Sequence, residues 1–123
     1  MNPPQKQQKT GLARIVAAGG YSWKGLCAAW KHEAAFRQLC MLNMVGIPLA
    51  LVLGQAAIER AILVLVLLIT LIVELLNSAI EAVVDRISLE HHPLSGLAKD
   101  LGSAAQLIAT GSALLIWLLI LWR

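Results

Sequence analysis

The chain has 123 residues, 59% of them hydrophobic, with a mean hydropathy of +0.74, a formal charge of +3 and two cysteines. That is too apolar for an ordinary soluble domain and too short for more than one small domain. Six of the ten basic residues, Lys6, Lys9, Arg14, Lys24, Lys31 and Arg37, precede position 38 and are opposed there only by Glu33. In a membrane protein such a start meets anionic headgroups, and no nucleic-acid partner is expected.

Residues 1–10 read as a polar tail, and residues 11–123 as a single membrane domain. No cleavable leader is expected, because the first ten residues are polar and no short apolar core with a cleavage site follows. An amphipathic surface helix is predicted over about 12–37, interrupted at Gly19-Gly20 and restarted at Ser22 as N-cap. Trp23, Leu26, Cys27, Trp30 and Ala34 recur at helical spacing, with Lys24, Lys31 and His32 turned away or to the flank. Tryptophans then sit at headgroup level and lysines near phosphate. Cys27 and Cys40 are isolated and make no Cys-x-x-Cys motif.

Three spans are predicted over about 39–53, 56–84 and 96–122. Gly46 and Pro48 interrupt the first, which membrane helices tolerate. A tight turn is predicted over 54–60 and a second loop over 86–94, with Ser95 as cap of the last helix. Trp117 and Trp122 fit the far aromatic belt. The basic bias of the N-terminal segment puts that segment, the second loop and the end of the second span on the cytoplasmic side.

The second span carries the chemistry. Ala61 to Val73 has no charge, and then Glu74, Asn77 with Ser78, Glu81 and Asp85 arrive at a helical rhythm. At about 100° per residue they share an arc of roughly 100° on one face. Carboxylates on such a helix are costly unless paired, so the stripe is a site hypothesis, weighed against plain interhelical glue. From Ala56 to Val73 the rise is about 27 Å, which places Glu74 near the edge of the hydrocarbon core. Glu33, Arg37, Lys99 and Asp100 lie at that same membrane surface.

Glu74 and Glu81 are about 10.5 Å apart along the axis and have separate roles. Glu74 lies at the depth of a lipid hydroxyl, suited to a general base. Glu81 with Glu33 from another helix fits a hard cation such as Mg²⁺, which takes one or two carboxylates together with phosphate and water. Lys99 is placed to neutralise phosphate charge. There is no G-x-x-x-x-G-K-[ST] and no G-x-G-x-x-G. His91-His92 read first as solvated loop histidines, and Asp85-Arg86 as a helix-end ion pair.

The stretch Glu74-x-x-Asn77-Ser78-Ala79-Ile80-Glu81-Ala82-Val83-Val84-Asp85 resembles the signature of the small bacterial integral-membrane diacylglycerol kinases. The resemblance extends to Ala17-Ala18-Gly19-Gly20-Tyr21-Ser22-Trp23-Lys24-Gly25-Leu26, Glu33-Ala34-Ala35-Phe36-Arg37-Gln38 and Ala98-Lys99-Asp100-Leu101-Gly102-Ser103-Ala104-Ala105, and covers about 14–122. It implies an all-α membrane protein, with an N-terminal amphipathic surface helix plus three transmembrane helices, assembled as a homotrimer. It implies transfer of phosphate from MgATP to diacylglycerol, giving phosphatidic acid, at the cytoplasmic face of the bacterial inner membrane.

Carried over by position, Glu74 matches the catalytic base and Asn77 its supporting amide. Glu33 and Glu81 match Mg²⁺ ligands that also contact ATP. Arg14, Tyr21, Glu90, His91, His92, Lys99 and Asp100 match nucleotide-binding positions. Arg14, Trp23, Glu74 and Ser103 match positions that contact the lipid substrate. Cys27 and Leu39 depart from the family pattern, which has a basic and an acidic residue there.

Undecaprenol kinase is the nearest rival, sharing Glu74, Asn77, Glu81, Lys99 and Asp100, while the Tyr21–Gly25 and Glu33–Gln38 blocks favour diacylglycerol. An ion or proton pathway would need acids spread through the bilayer depth, whereas here they cluster at one face. A purely structural or regulatory membrane subunit would give no ATP-dependent product.

Overall fold

A computed structural model describes residues 9–122, all of whose regular structure is helical. The first eight residues of the polar tail, and Arg123, lie outside the described residues. Four helices follow in order: α1 (Gly11–His32), α2 (Ala34–Leu53), α3 (Ala57–Ile87) and α4 (Pro93–Leu121). The last three are long and apolar enough to cross a membrane. Only 22%, 28% and 11% of their apolar windows are buried within the chain, so most of the Leu, Ile and Val surface is left for lipid or for other copies.

Several predicted boundaries move. α1 is continuous through Gly19-Gly20, and Ser22 lies within it, not at its cap. The Ser22 hydroxyl donates to the Ala18 carbonyl at 2.9 Å, a local bond that lets the residue sit inside a helix. The surface helix ends at His32, short of residue 37. Glu33 is extended there (φ −113°, ψ 104°), and Arg37 reaches back from α2 to donate to the carbonyls of Trp30 (2.7 Å) and Lys31 (3.3 Å). Those carbonyls have no partner once a helix stops, and a guanidinium satisfies them.

α2 runs unbroken past Pro48. Its buried residues, Phe36, Asn43, Gly46 and Ala50, form one face against α3. A β-carbon on Gly46 would lie 2.7 Å from Leu67 Cδ1, so glycine sets how closely the two helices approach. The turn to α3 is tied by Arg60 Nε to the Gly54 carbonyl (3.0 Å) and by Glu59, which accepts from the Gln55 N–H (2.8 Å). α3 has 31 residues, so at 1.5 Å per residue it is about 46 Å long and outruns the hydrocarbon core.

α4 folds back along α3 after the short loop Ser88–His92. Its cap is His92, whose Nδ1 accepts from the Leu94 N–H at 3.1 Å, with Pro93 in the first turn. The preset φ and missing N–H of proline favour that start over the predicted one at Ser95. Small residues, Gly102, Ala109 and Ala113, are its buried positions. The indole N–H of Trp117 donates to the Leu63 carbonyl at 3.2 Å, so this ring crosses to α3, while Trp122 is exposed.

Candidate active site

α3 is the central helix, and its buried polar residues define the site. Thr70 and Glu74 are buried, at 0% and 6% exposure, on the face that α2 and α4 cover. Asn77 follows on that face, and its Oδ1 is buried with no hydrogen-bond partner. Gly102 of α4 packs directly on the Asn77 side chain, where a β-carbon would overlap Oδ1. Glycine on α4 thus makes room for the amide beside Glu74.

Glu33, at the break between α1 and α2, and Glu81 are half-buried, and both lie within electrostatic reach of Glu74. Neither is in an ion pair among the described residues. No group of three or more His, Cys, Asp or Glu is close enough to hold one metal ion among the described residues. Glu33 and Glu81 are two carboxylates available to a hard ion of the kind that takes its remaining ligands from phosphate and water.

Two clefts lie along this part of the fold. One, of about 570 Å³, lies between α1 and α3 and is lined largely by Leu26, Ala29, Leu75 and Ala79, with Ser22, His32, Glu33 and Ser78 as its polar members. The other, of about 160 Å³, joins the end of α3 to the start of α4 and is polar, with Asp85, Glu90, His91, His92 and Lys99. There Lys99 Nζ donates to Asp85 Oδ1 at 2.8 Å. Asp85 therefore pairs with Lys99 across the hairpin and not with its neighbour Arg86. Glu81 acts electrostatically on Lys99 as well, which links the two ends of the site.

Among the residues singled out in the sequence, the fold thus brings Glu33 and Glu81 within electrostatic reach of Glu74, sets Asn77 one turn along α3 from it, and gathers Glu90, His91, His92 and Lys99 in the cleft at the end of α3. Arg14, Tyr21, Asp100 and Ser103 are exposed and line neither cleft. Trp23 lines a separate apolar groove with Leu26, Cys27, Trp30, Lys31, Phe36 and Cys40. The sequence reading passed over Asn43 and Thr70, which are buried polar residues of the spans. An amide or hydroxyl within an otherwise apolar span was the available signal.

Comparison with known proteins follows the same lines. The model of the family described as prokaryotic diacylglycerol kinase matches residues 20–121. A Pseudomonas aeruginosa protein named diacylglycerol kinase is 55% identical over 121 residues, covering 98% of both chains. A protein of that name from Escherichia coli K12 is 54% identical over 113 residues, covering 92% of this chain and 93% of its own. One from Helicobacter pylori 26695 is 43% identical over 115 residues, covering 94% and 88%.

Proposed function

This chain belongs to the prokaryotic diacylglycerol kinase family, and we propose that it phosphorylates diacylglycerol with ATP in a bacterial membrane. The observation that supports the reading is that one helix, α3, carries the buried Glu74, lends Leu75, Ser78 and Ala79 to an apolar cleft, and meets a polar, lysine-bearing cleft at its C-terminal end. A lipid alcohol and a nucleotide need those two environments to meet at one base.

In this reading the apolar cleft takes the glyceride and brings its free hydroxyl to Glu74. Glu74 accepts the hydroxyl proton as the oxygen attacks the γ-phosphorus of ATP. The bond from that phosphorus to the β,γ-bridging oxygen breaks, giving ADP and phosphatidic acid. Asn77 holds the base in orientation. Glu33 and Glu81 are the residues that would hold Mg²⁺, which would neutralise charge on the phosphates. Lys99, with Glu90, His91 and His92, faces the nucleotide, and Asp85 keeps the Lys99 ammonium in place. Arg14, Tyr21 and Asp100 reach the nucleotide, and Trp23 and Ser103 the lipid, in an assembled homotrimer. The site faces the cytoplasm across the inner membrane, where ATP is available.

The test is a panel of lipid alcohols in mixed micelles with Mg²⁺ and labelled ATP. Phosphatidic acid from diacylglycerol, in clear excess over phosphorylated undecaprenol, is the expected outcome. Preference for undecaprenol would overturn the substrate assignment, and no ATP-dependent product with any alcohol would overturn the kinase reading.

A further inference from the structure

Resting on that reading, we infer that Gln106 of α4 is a positioning residue for Glu74, a role separate from the residues that contact either substrate. The Gln106 amide N–H donates across the helix interface to the Thr70 carbonyl at 3.3 Å. In an α-helix that carbonyl also accepts the N–H of the residue four positions on, which is Glu74. A carbonyl oxygen has two lone pairs and takes both bonds. Gln106 therefore grips the backbone turn that carries the base.

One turn earlier on α4, Gly102 seats against Asn77, three residues beyond Glu74. The Gly102–Asn77 and Gln106–Thr70 contacts thus bracket Glu74 along α3, one on the cytoplasmic side of it and one deeper. Together they set both the rotation of α3 and its height against α4. A base that must meet a lipid hydroxyl at a defined depth depends on both.

The amide is an unfavourable choice for stability alone. Gln106 Oε1 is buried without a partner, so half of its polar group is left unsatisfied in the apolar region. Asn43 provides the internal comparison. It is another buried amide with an unpartnered oxygen, on the α2 face that packs on α3. Its Nδ2 donates to Leu39 of its own helix at 2.9 Å and ties nothing to α3. Of Asn43 and Gln106, Gln106 alone bonds the backbone turn that carries Glu74.

The experiment uses the full-length protein in mixed micelles and three variants: Gln106→Met, Gln106→Asn and Asn43→Leu. Rates with diacylglycerol give kcat and the KM values for lipid and MgATP, and thermal unfolding gives the midpoint. Gln106→Met keeps the length and loses the donor. Its kcat should fall about tenfold or more, with both KM values within about twofold of wild type. Gln106→Asn, an amide on a shorter stem, should fall between Met and wild type, and Asn43→Leu should keep the wild-type kcat. Thermal midpoints of all four proteins should agree closely, because each substitution to an apolar residue also removes a stranded oxygen.

Wild-type kcat in Gln106→Met overturns the inference. So does an equal loss in Asn43→Leu, or a loss that tracks a lowered thermal midpoint, since both mark a merely structural amide. If Gln106→Met does not fold, Gln106→Asn carries the same comparison. An inactive wild-type protein would overturn the kinase reading and this inference together, whereas an active wild type with unaffected Gln106 variants overturns this inference alone.

Discussion

Adding one methyl group at Gly102 probes the contact on which the candidate base depends. A β-carbon there would overlap Asn77 Oδ1 and lie 3.1 Å from Asn77 Cγ. Either α4 backs away, an overpacking strain of about 1–3 kcal/mol, or Asn77 turns off its rotamer for about 0.5–1.5 kcal/mol. Asn77 Oδ1 has no hydrogen bond to lose, so the side chain yields first. The better helix propensity of alanine returns up to about 1 kcal/mol. The net effect on stability is thus about 1 kcal/mol or less, and Gly102→Ala folds.

Its activity suffers more. With Asn77 swung away from Glu74, kcat should drop about 10- to 100-fold, the scale expected for a misplacement of about 1 Å. Initial rates in mixed micelles and thermal unfolding of the same samples provide the two readouts. Gly111→Ala is the control, because a β-carbon there meets nothing within 4 Å in the chain. In an Asn77→Ala background the stability change from Gly102→Ala should vanish or become a gain, since the colliding atoms are gone. Wild-type turnover and an unchanged thermal midpoint in Gly102→Ala would refute the close contact and the argument built on it.

Glu74→Gln should abolish most turnover while leaving MgATP binding near wild type, as measured by nucleotide protection from proteolysis; near-normal turnover would make Glu74 interhelical glue. Glu33→Gln and Glu81→Gln should each shift the Mg²⁺ titration of activity to higher concentration, and superimposable titrations for both variants would remove them as ligands. A tag before Met1 should be reachable from the cytoplasm and one after Arg123 from outside, as three spans require; both on one side would mean an even number of crossings.

The spans and the polar stripe were legible in the sequence because they rest on one-dimensional signals. An uncharged run from Ala61 to Val73 followed by acids at helical spacing needs no knowledge of neighbours. What escaped depends on partners far along the chain. Gly19-Gly20 looks like a break until the whole of α1 is seen to run through it, with open space around both glycines. The end of α1 is set by Arg37 reaching back to Trp30 and Lys31, not by any residue within the helix. Asp85 finds Lys99, 14 positions away, in preference to the adjacent Arg86. Asn43 and Thr70 carry no motif beyond being polar within apolar spans, and the packing of α3 with its neighbours shows that they are buried.

The hairpin of α3 and α4 bears on which chain supplies Lys99 to a given Glu74. Three helices cannot surround a polar stripe, so from the sequence alone the face of Lys99, Gly102, Ser103 and Gln106 is expected to cover the stripe of a neighbouring copy, with Glu74 of one subunit working with Lys99 of another. In the structure that face turns inward at Gly102 and Gln106, which contact Asn77 and Thr70 of the same chain, while Ser103 stays exposed. The physical reason is the short loop Ser88–His92, which leaves α4 little choice but to fold back on α3. With Gly102 level with Asn77, the Lys99 Cα stands about 9 Å along the axis from that of Glu74. A phosphate chain between them can be met by both. Against the expectation that Glu74 works with Lys99 of another copy, we propose that Glu74 and Lys99 of one chain serve one site. Glu74→Ala and Lys99→Ala proteins should each be nearly inactive. Unfolding them together and reassembling them should leave the mixture inactive, since every chain lacks one member of its pair. Glu74→Ala reassembled with wild type should retain activity in proportion to the wild-type chains. Cross-linking of differently tagged chains establishes that mixing has occurred. Activity returning in the mixed mutants would show that α4 of a neighbour completes the site, and would overturn the same-chain assignment.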